Sequence, residues 1–230
     1  LRNPSNIVSS FQTNGEPQTL DVSDSNLICS AGTGAQWFDK RSWPKNTPKF
    51  DDIHSDQITQ IKFSKQNNNI VYTGGLDELI CELNINETDP DEIVTGCLNN
   101  NSPIQKMGFC GQNNDSLWTI GHGESLNVWS TSNEMNSIIS LPDPRSNLAA
   151  QSARSIDYIV DCHYVAKDDI LLALCGSFDG TLLLTSLEYN DDQGAVLRPL
   201  YTMTGHEAVV RCMDYNTRNN AIVTGGEDAS

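Results

Sequence analysis

Basic residues are scarce in this sequence. Fourteen Lys and Arg stand against 30 Asp and Glu over 230 residues, a formal charge of −16. A nucleic-acid groove gains most of its affinity from Lys and Arg that neutralise phosphates, and an anionic membrane surface is recognised the same way. The densest basic stretch, Lys40-Arg41-Ser42-Trp43-Pro44-Lys45, holds three cations and reads as a loop. The charge therefore argues against nucleic acid or a membrane and for a protein or peptide partner, a basic one above all, with faster association at low salt. Long apolar runs are missing too: no stretch approaches the roughly 18–20 residues that span a bilayer. The first residues, Leu1-Arg2-Asn3-Pro4-Ser5-Asn6, have no signal-peptide core behind them and no initiator Met, so the true start is expected to lie upstream.

Cysteine chemistry is equally thin. Cys29, Cys81, Cys97, Cys110, Cys162, Cys175 and Cys212 are odd in number, scattered and without a CxxC pair. They read as small buried hydrophobes in a reducing, intracellular compartment, cytoplasmic or nuclear. Neither a zinc site nor a disulfide framework is signalled. Sequons at Asn86, Asn100 and Asn114 are what chance gives in a chain with 23 Asn.

Helical periodicity is almost absent, apart from a possible short helix in Asn147–Ala153. What recurs instead is runs of about six residues rich in Val, Ile, Thr and aromatics, broken by Gly, Asn and Asp. Ile58-Thr-Gln-Ile-Lys-Phe63 and Leu79-Ile-Cys-Glu-Leu83 are examples. The breakers repeat as well. Thr73-Gly74-Gly75-Leu76-Asp77 returns as Cys175-Gly176-Ser177-Phe178-Asp179 and as Thr224-Gly225-Gly226-Glu227-Asp228, with weaker copies ending at Gly34 and Gly123. Successive anchors lie 43 to 56 residues apart. Short strands repeating on such a period indicate an all-β propeller.

The flanking residues carry a resemblance. His54 precedes Asp77 by 23 residues, Gly205-His206 precedes Asp228 by 22, and Trp129 follows Gly123 by six. In this the chain resembles the WD-repeat family, whose pattern is Gly-His, a strand, a second strand ending in Ser-Gly-Ser-x-Asp, and a third ending in Trp-Asp. The resemblance covers about five repeats, two of them close to the pattern. It implies repeats at about 18–53, 54–98, 102–141, 156–204 and 205–230, the last cut short, within an intact ring of about seven blades. It also implies a buried relay in each good repeat: His54, Thr73 and Asp77 in one, His206, Thr224 and Asp228 in another. Leu83 stands where the first relay would have its Trp. Trp129 keeps the aromatic of a repeat that has lost its His and Asp.

Catalysis finds little support. Cys162 and His163 are adjacent on a strand and point to opposite faces, so they form no nucleophile pair. The acidic runs at Asp89–Glu92 and Asp191–Asp192 lack calcium-loop spacing. No P-loop, GxGxxG, GxSxG or HExxH occurs. No enzyme activity, metal or cofactor is expected. The family resemblance implies a non-catalytic scaffold for protein–protein interactions, with an assembly factor or chaperone for a basic client as the alternative. Residues just before the turn anchors, Leu76, His122, Phe178 and Glu227, are implied to face the rim of the central channel. Trp43, in its loop, is a further partner-binding candidate.

Overall fold

In the computed structural model the short alternating runs pair into antiparallel hairpins. It describes residues 16–23, 27–32, 34–39, 49–50, 53–87, 89, 91–132, 135–149, 155–190 and 194–228. The first sheet is β1 (Thr19–Val22), β2 (Leu27–Ala31), β3 (Ala35–Asp39) and β4 (Lys49–Phe50). The second is β5 (Ile58–Phe63), β6 (Ile70–Gly75), β7 (Leu79–Asn84) and β8 (Val94–Asn99). The third is β9 (Ile104–Cys110), β10 (Ser116–Gly121), β11 (Leu126–Ser130) and β12 (Asn136–Leu141). The fourth is β13 (Tyr158–Val165), β14 (Ile170–Gly176), β15 (Leu182–Asn190) and β16 (Gly194–Met203), and a hairpin of β17 (Val210–Asn216) and β18 (Ala221–Gly226) follows. Within each sheet the strands lie in sequence order.

The first strands of successive sheets touch: β1 with β5, β5 with β9, β9 with β13 and β13 with β17. The sheets therefore radiate from a common axis, which is the geometry of a β-propeller. A bulge sits in each of these inner strands where it is paired from β5 onward. It explains a break in the alternation. Ile58 and Ile61 are three residues apart yet both fully buried, because the bulge inserts a residue between them. Ile104 and Met107 repeat the pattern in β9.

The core is divided among the interfaces between sheets rather than gathered in one place. Trp37, Phe50, Ile61 and Leu83 fill the first interface, and Tyr72, Ile104, Leu117 and Trp129 the second. Trp118, Val128, Ile159 and Ala173 lie in the third, and Leu174, Leu184 and Val210 in the fourth. The helix starts earlier than its sequence pattern suggests. It spans Pro144–Ala149, starting at a proline that suits the first helical position, and of 147–153 the residues 150–153 lie outside the described set. Its Asn147 side chain accepts the Leu197 N–H of β16 at 2.9 Å, so the helix covers part of an outer strand edge.

The cysteine expectation needs correcting. Cys110, Cys162 and Cys175 are buried thiols, but Cys212 is exposed, and Cys81 and Cys97 are joined as a disulfide between β7 and β8. Among the described residues no helix is long and apolar enough to cross a membrane.

Candidate functional site

The second sheet brings three polar side chains together in its apolar surroundings. His54 precedes β5, Thr73 lies in β6, and Asp77 lies in the β6–β7 turn. His54 Nε2 is 2.8 Å from Thr73 Oγ1, and Nδ1 is 2.9 Å from Asp77 Oδ1. With the proton on Nδ1, the imidazole donates to the carboxylate and accepts from the hydroxyl. The carboxylate also accepts the Ser55 and Leu79 N–H groups at 2.9 and 3.2 Å. Burial alone would raise the Asp77 pKa, but the His54 hydrogen bond and charge, with the two backbone N–H groups, hold it below the ordinary carboxylate range. Leu83, fully buried, fills the place beyond Thr73 without a polar group. The last hairpin repeats the arrangement: His206 Nε2 lies 2.8 Å from Thr224 Oγ1 and Nδ1 lies 2.9 Å from Asp228 Oδ2.

The third sheet builds its relay on Asn100, which the family pattern passes over, and Trp129 stands in the aromatic place that the pattern implies for it. Asn100 Oδ1 accepts from the Thr119 hydroxyl at 2.8 Å and from the Asn127 amide at 3.0 Å. The Trp129 indole N–H donates to Thr119 Oγ1 at 3.1 Å. Asn100 Nδ2 donates to the Ser102 carbonyl at 2.9 Å. An amide oxygen thus stands where His54 Nε2 stands one sheet earlier. The signal was in the spacing: Asn100 and Thr119 are 19 apart, as are His54 and Thr73. The fourth sheet uses hydroxyls toward main-chain carbonyls. Ser177 Oγ donates to the Ser155 carbonyl at 2.6 Å, and Thr185 Oγ1 donates to the Ala173 carbonyl at 2.9 Å.

Each seam between sheets is closed by its own hydrogen bond. Ile58 N–H reaches the Gly32 carbonyl at 2.8 Å, and Thr59 Oγ1 reaches the Ile104 carbonyl at 2.6 Å. Ile159 N–H reaches the Glu124 carboxylate at 2.5 Å, and Val210 N–H reaches the Tyr158 phenol oxygen at 2.8 Å. Burial raises the Glu124 pKa, with the Ile159 N–H and the Arg145 and His122 charges opposing.

The turns from β6, β10, β14 and β18 open at the end where the inner strands begin. Leu76, His122 and Glu227 share one register, each donating its N–H to the residue just before an inner strand: Gln57, Pro103 and Val209, all at 2.9 Å. Leu76 is half-buried there, and His122 and Glu227 are exposed. The Glu227 carboxylate already faces Arg211, with Nε 2.7 Å away. Phe178 sits differently. Its turn has the hydrogen bonds of the Gly121–Ser125 turn, Ser177 N–H to Thr181 O at 2.9 Å and Gly180 N–H to Ser177 O at 3.0 Å. But by the bulge register Cys175, not Ser177, matches Gly75 and Gly226. The turn is therefore carried two residues further out, roughly 7 Å at 3.3 Å per residue. Phe178 is 68% exposed at its tip, with its ring centroid 5.9 Å from that of Tyr158 and its N–H held by Asp157 at 2.8 Å. Trp43 lies outside the described residues. His163, which carries no nucleophile pair, packs on Tyr215 with ring centroids 5.1 Å apart.

Comparison with known proteins agrees with this geometry. Residues 197–230 match the family described as WD domain, G-beta repeat. The chain is 25% identical over 218 residues to the WD repeat-containing protein 89 homolog of Dictyostelium discoideum, covering 94% of this chain and 58% of that protein. It is 28% identical over 170 residues to WD repeat-containing protein GTS1 of Arabidopsis thaliana, covering 73% of this chain and 43% of that protein. The chain thus spans about half the length of these curated relatives. Among solved structures, the β-propeller domain of Myceliophteria_thermophila Cps50 (Swd1) superposes with a TM-score of 0.70 at 12% identity, over 97% of this chain and 65% of that one. A chain of the Mitotic Checkpoint Complex gives 0.70 at 12% identity, over 95% and 61%.

Proposed function

We propose that this chain, a β-propeller of WD-repeat type with a WD40 repeat at residues 197–230, is part of a non-catalytic scaffold that docks other proteins on its turn-bearing face. Propellers of this class generally bind proteins or peptides. The observation that carries the reading is Phe178. A large apolar ring, 68% exposed, is raised on a lengthened hairpin and braced by Tyr158, whose own hydroxyl is fixed by Val210 N–H. A rigid, exposed aromatic loses little freedom on binding, which is what interface anchors have in common. His122 and the Arg211–Glu227 pair put polar groups on the turns at the same end of the sheets.

The charge supports a basic partner. Arg145, Lys167, Arg198, Lys106 and Arg211 each pair with an acid of the same chain, and the sequence as a whole carries a formal surplus of 16 negative charges. The same surplus favours a second reading, an assembly factor or chaperone for one Lys/Arg-rich client.

The test is affinity purification of the full-length protein and of the Phe178→Ala, Glu227→Gln double variant, with recovered partners quantified by mass spectrometry. A docking role on this face predicts at least about a tenfold loss of specific partners, the scale of one anchor residue, with an unchanged thermal melt. Equal recovery would place the contact surface elsewhere. Recovery of one basic protein, with strong salt dependence, would favour the chaperone reading over a multi-subunit scaffold.

A further inference from the structure

Cys81 and Cys97 stand directly opposite each other in the pairing of β7 with β8, with Cα atoms 4.3 Å apart. That is close to the spacing of a directly opposed, non-hydrogen-bonded pair in any antiparallel ladder. The backbone therefore needs no movement to hold either a disulfide or two thiols. The two residues differ in access. Cys81 is fully buried, whereas Cys97 is exposed on the outermost strand of its sheet. Cys110, Cys162 and Cys175 are buried thiols whose pKa burial pushes up, to about 12 for Cys110 and Cys175, so they stay protonated and unreactive.

We propose that Cys81 and Cys97 form a reversible oxidation site that fixes or releases β8 and the loop leading into the third sheet. The placement is what gives the site a consequence. On one side, the Cys81 carbonyl oxygen lies 3.4 Å from Thr73 Oγ1, so the residue belongs to the wall of the His54 relay. On the other side, β8 runs from Cys97 directly into Asn100, the hub of the next relay, and on to Pro103, whose carbonyl holds His122 N–H. The cross-link thus spans the ground between two relays. β8 has one exposed edge and alternates between half-buried and exposed residues, so it has few packing contacts to hold it once the link opens.

The chemistry balances with ordinary partners. A peroxide oxidises the Cys97 thiolate to a sulfenic acid and leaves as water or hydroxide. The Cys81 thiol then attacks that sulfur, the S–S bond forms and a second water leaves. In the other direction a small dithiol attacks the exposed Cys97 sulfur and displaces Cys81, which takes up a proton. The second thiol of the reductant then closes its own disulfide and frees Cys97.

Hydrogen exchange of the full chain, equilibrated with hydrogen peroxide or with dithiothreitol, reads the release directly. Amides of residues 94–103 are expected to exchange at least tenfold faster in the reduced protein, while those of β14 and β15 are unchanged. Cys97→Ser should show the fast rate in both conditions, and Cys212→Ser should respond as the parent does. Because a variant can fail to fold, thiol mapping of the parent is the second measurement. After peroxide, Cys81 and Cys97 should resist alkylation as a linked peptide pair. Redox-independent exchange in 94–103, or free thiols at both positions after peroxide, would overturn the proposal.

Discussion

Replacing Asn100 with Ala removes the centre of a relay that is entirely buried. Asn100, Thr119 and Asn127 are 3%, 0% and 4% exposed, so their contacts are shielded from water in the parent. The substitution deletes an acceptor that serves two donors, the Thr119 hydroxyl and the Asn127 amide, and a donor that serves the Ser102 carbonyl. Leaving one buried polar group unpaired costs about 1–3 kcal/mol. Three are touched here, but local relaxation recovers part of the loss, so a net cost of about 3 kcal/mol is expected. With a urea slope of about 2–3 kcal/mol/M the midpoint should fall by about 1 M. Asn100→His should lose less, because the ring nitrogen lies where His54 Nε2 lies in the preceding sheet. Asn68→Ala, on the surface, should stay within about 0.5 kcal/mol of the parent. A parent-like melt for Asn100→Ala would show that the three side chains are not coupled, and the equivalence of Asn100 with His54 would fall with it.

Trp129→Phe keeps a buried ring but removes the indole N–H that reaches Thr119, so a loss of about 1 kcal/mol is expected in urea melts, and no loss would mean that bond contributes nothing. Asp77 titrates lower when folded than its ordinary value of 3.8, so its ionised form stabilises the fold above about pH 4 and that contribution fades as pH falls through the lowered value. Asp77→Asn should therefore flatten the fall in stability between about pH 5 and 2, and an identical acid profile would contradict the His54 pairing. Gly180 adopts φ of +84° and a Cβ there would lie 2.2 Å from the His206 carbonyl oxygen, so Gly180→Ala should cost more than the roughly 1 kcal/mol of a left-handed backbone alone. A neutral melt for that variant would mean the β14–β15 turn does not pack on the 206–207 segment.

The propeller was legible because its strands are local and its turns repeat. Short β-rich runs such as Ile58–Phe63 and the Gly-Gly-x-Asp turns need only neighbouring residues to be read, and the WD-type spacing of His54 and Asp77 is enough to suggest a relay. What stayed hidden depends on pairing across strands. Asn100 was passed over because an amide is absent from the family pattern, although only an acceptor oxygen or nitrogen is physically required at that point. Cys81 and Cys97 look unrelated at a separation of 16 residues and become neighbours only once the β7–β8 register is set. The two-residue advance of the Phe178 turn was invisible for the same reason: its turn residues are ordinary, and the shift lies in where the inner-strand bulge falls. The acidity of Glu227 was readable, but its contact with Arg211 was not, since the two are 16 residues apart.

The seams described above have a consequence for the order of the repeats. A carbonyl, a hydroxyl, a carboxylate and a phenol each close one junction, and each is met by a group on the adjoining sheet. In all four the answering group is a main-chain N–H or C=O near the start of the next inner strand, a socket that every sheet offers. The plugs differ but the sockets are alike. A chain with the second and fourth sheets exchanged would keep every internal hairpin and could still close these bonds, so what fixes the order of the repeats is the apolar side chains packed between them, not the hydrogen bonds at the seams.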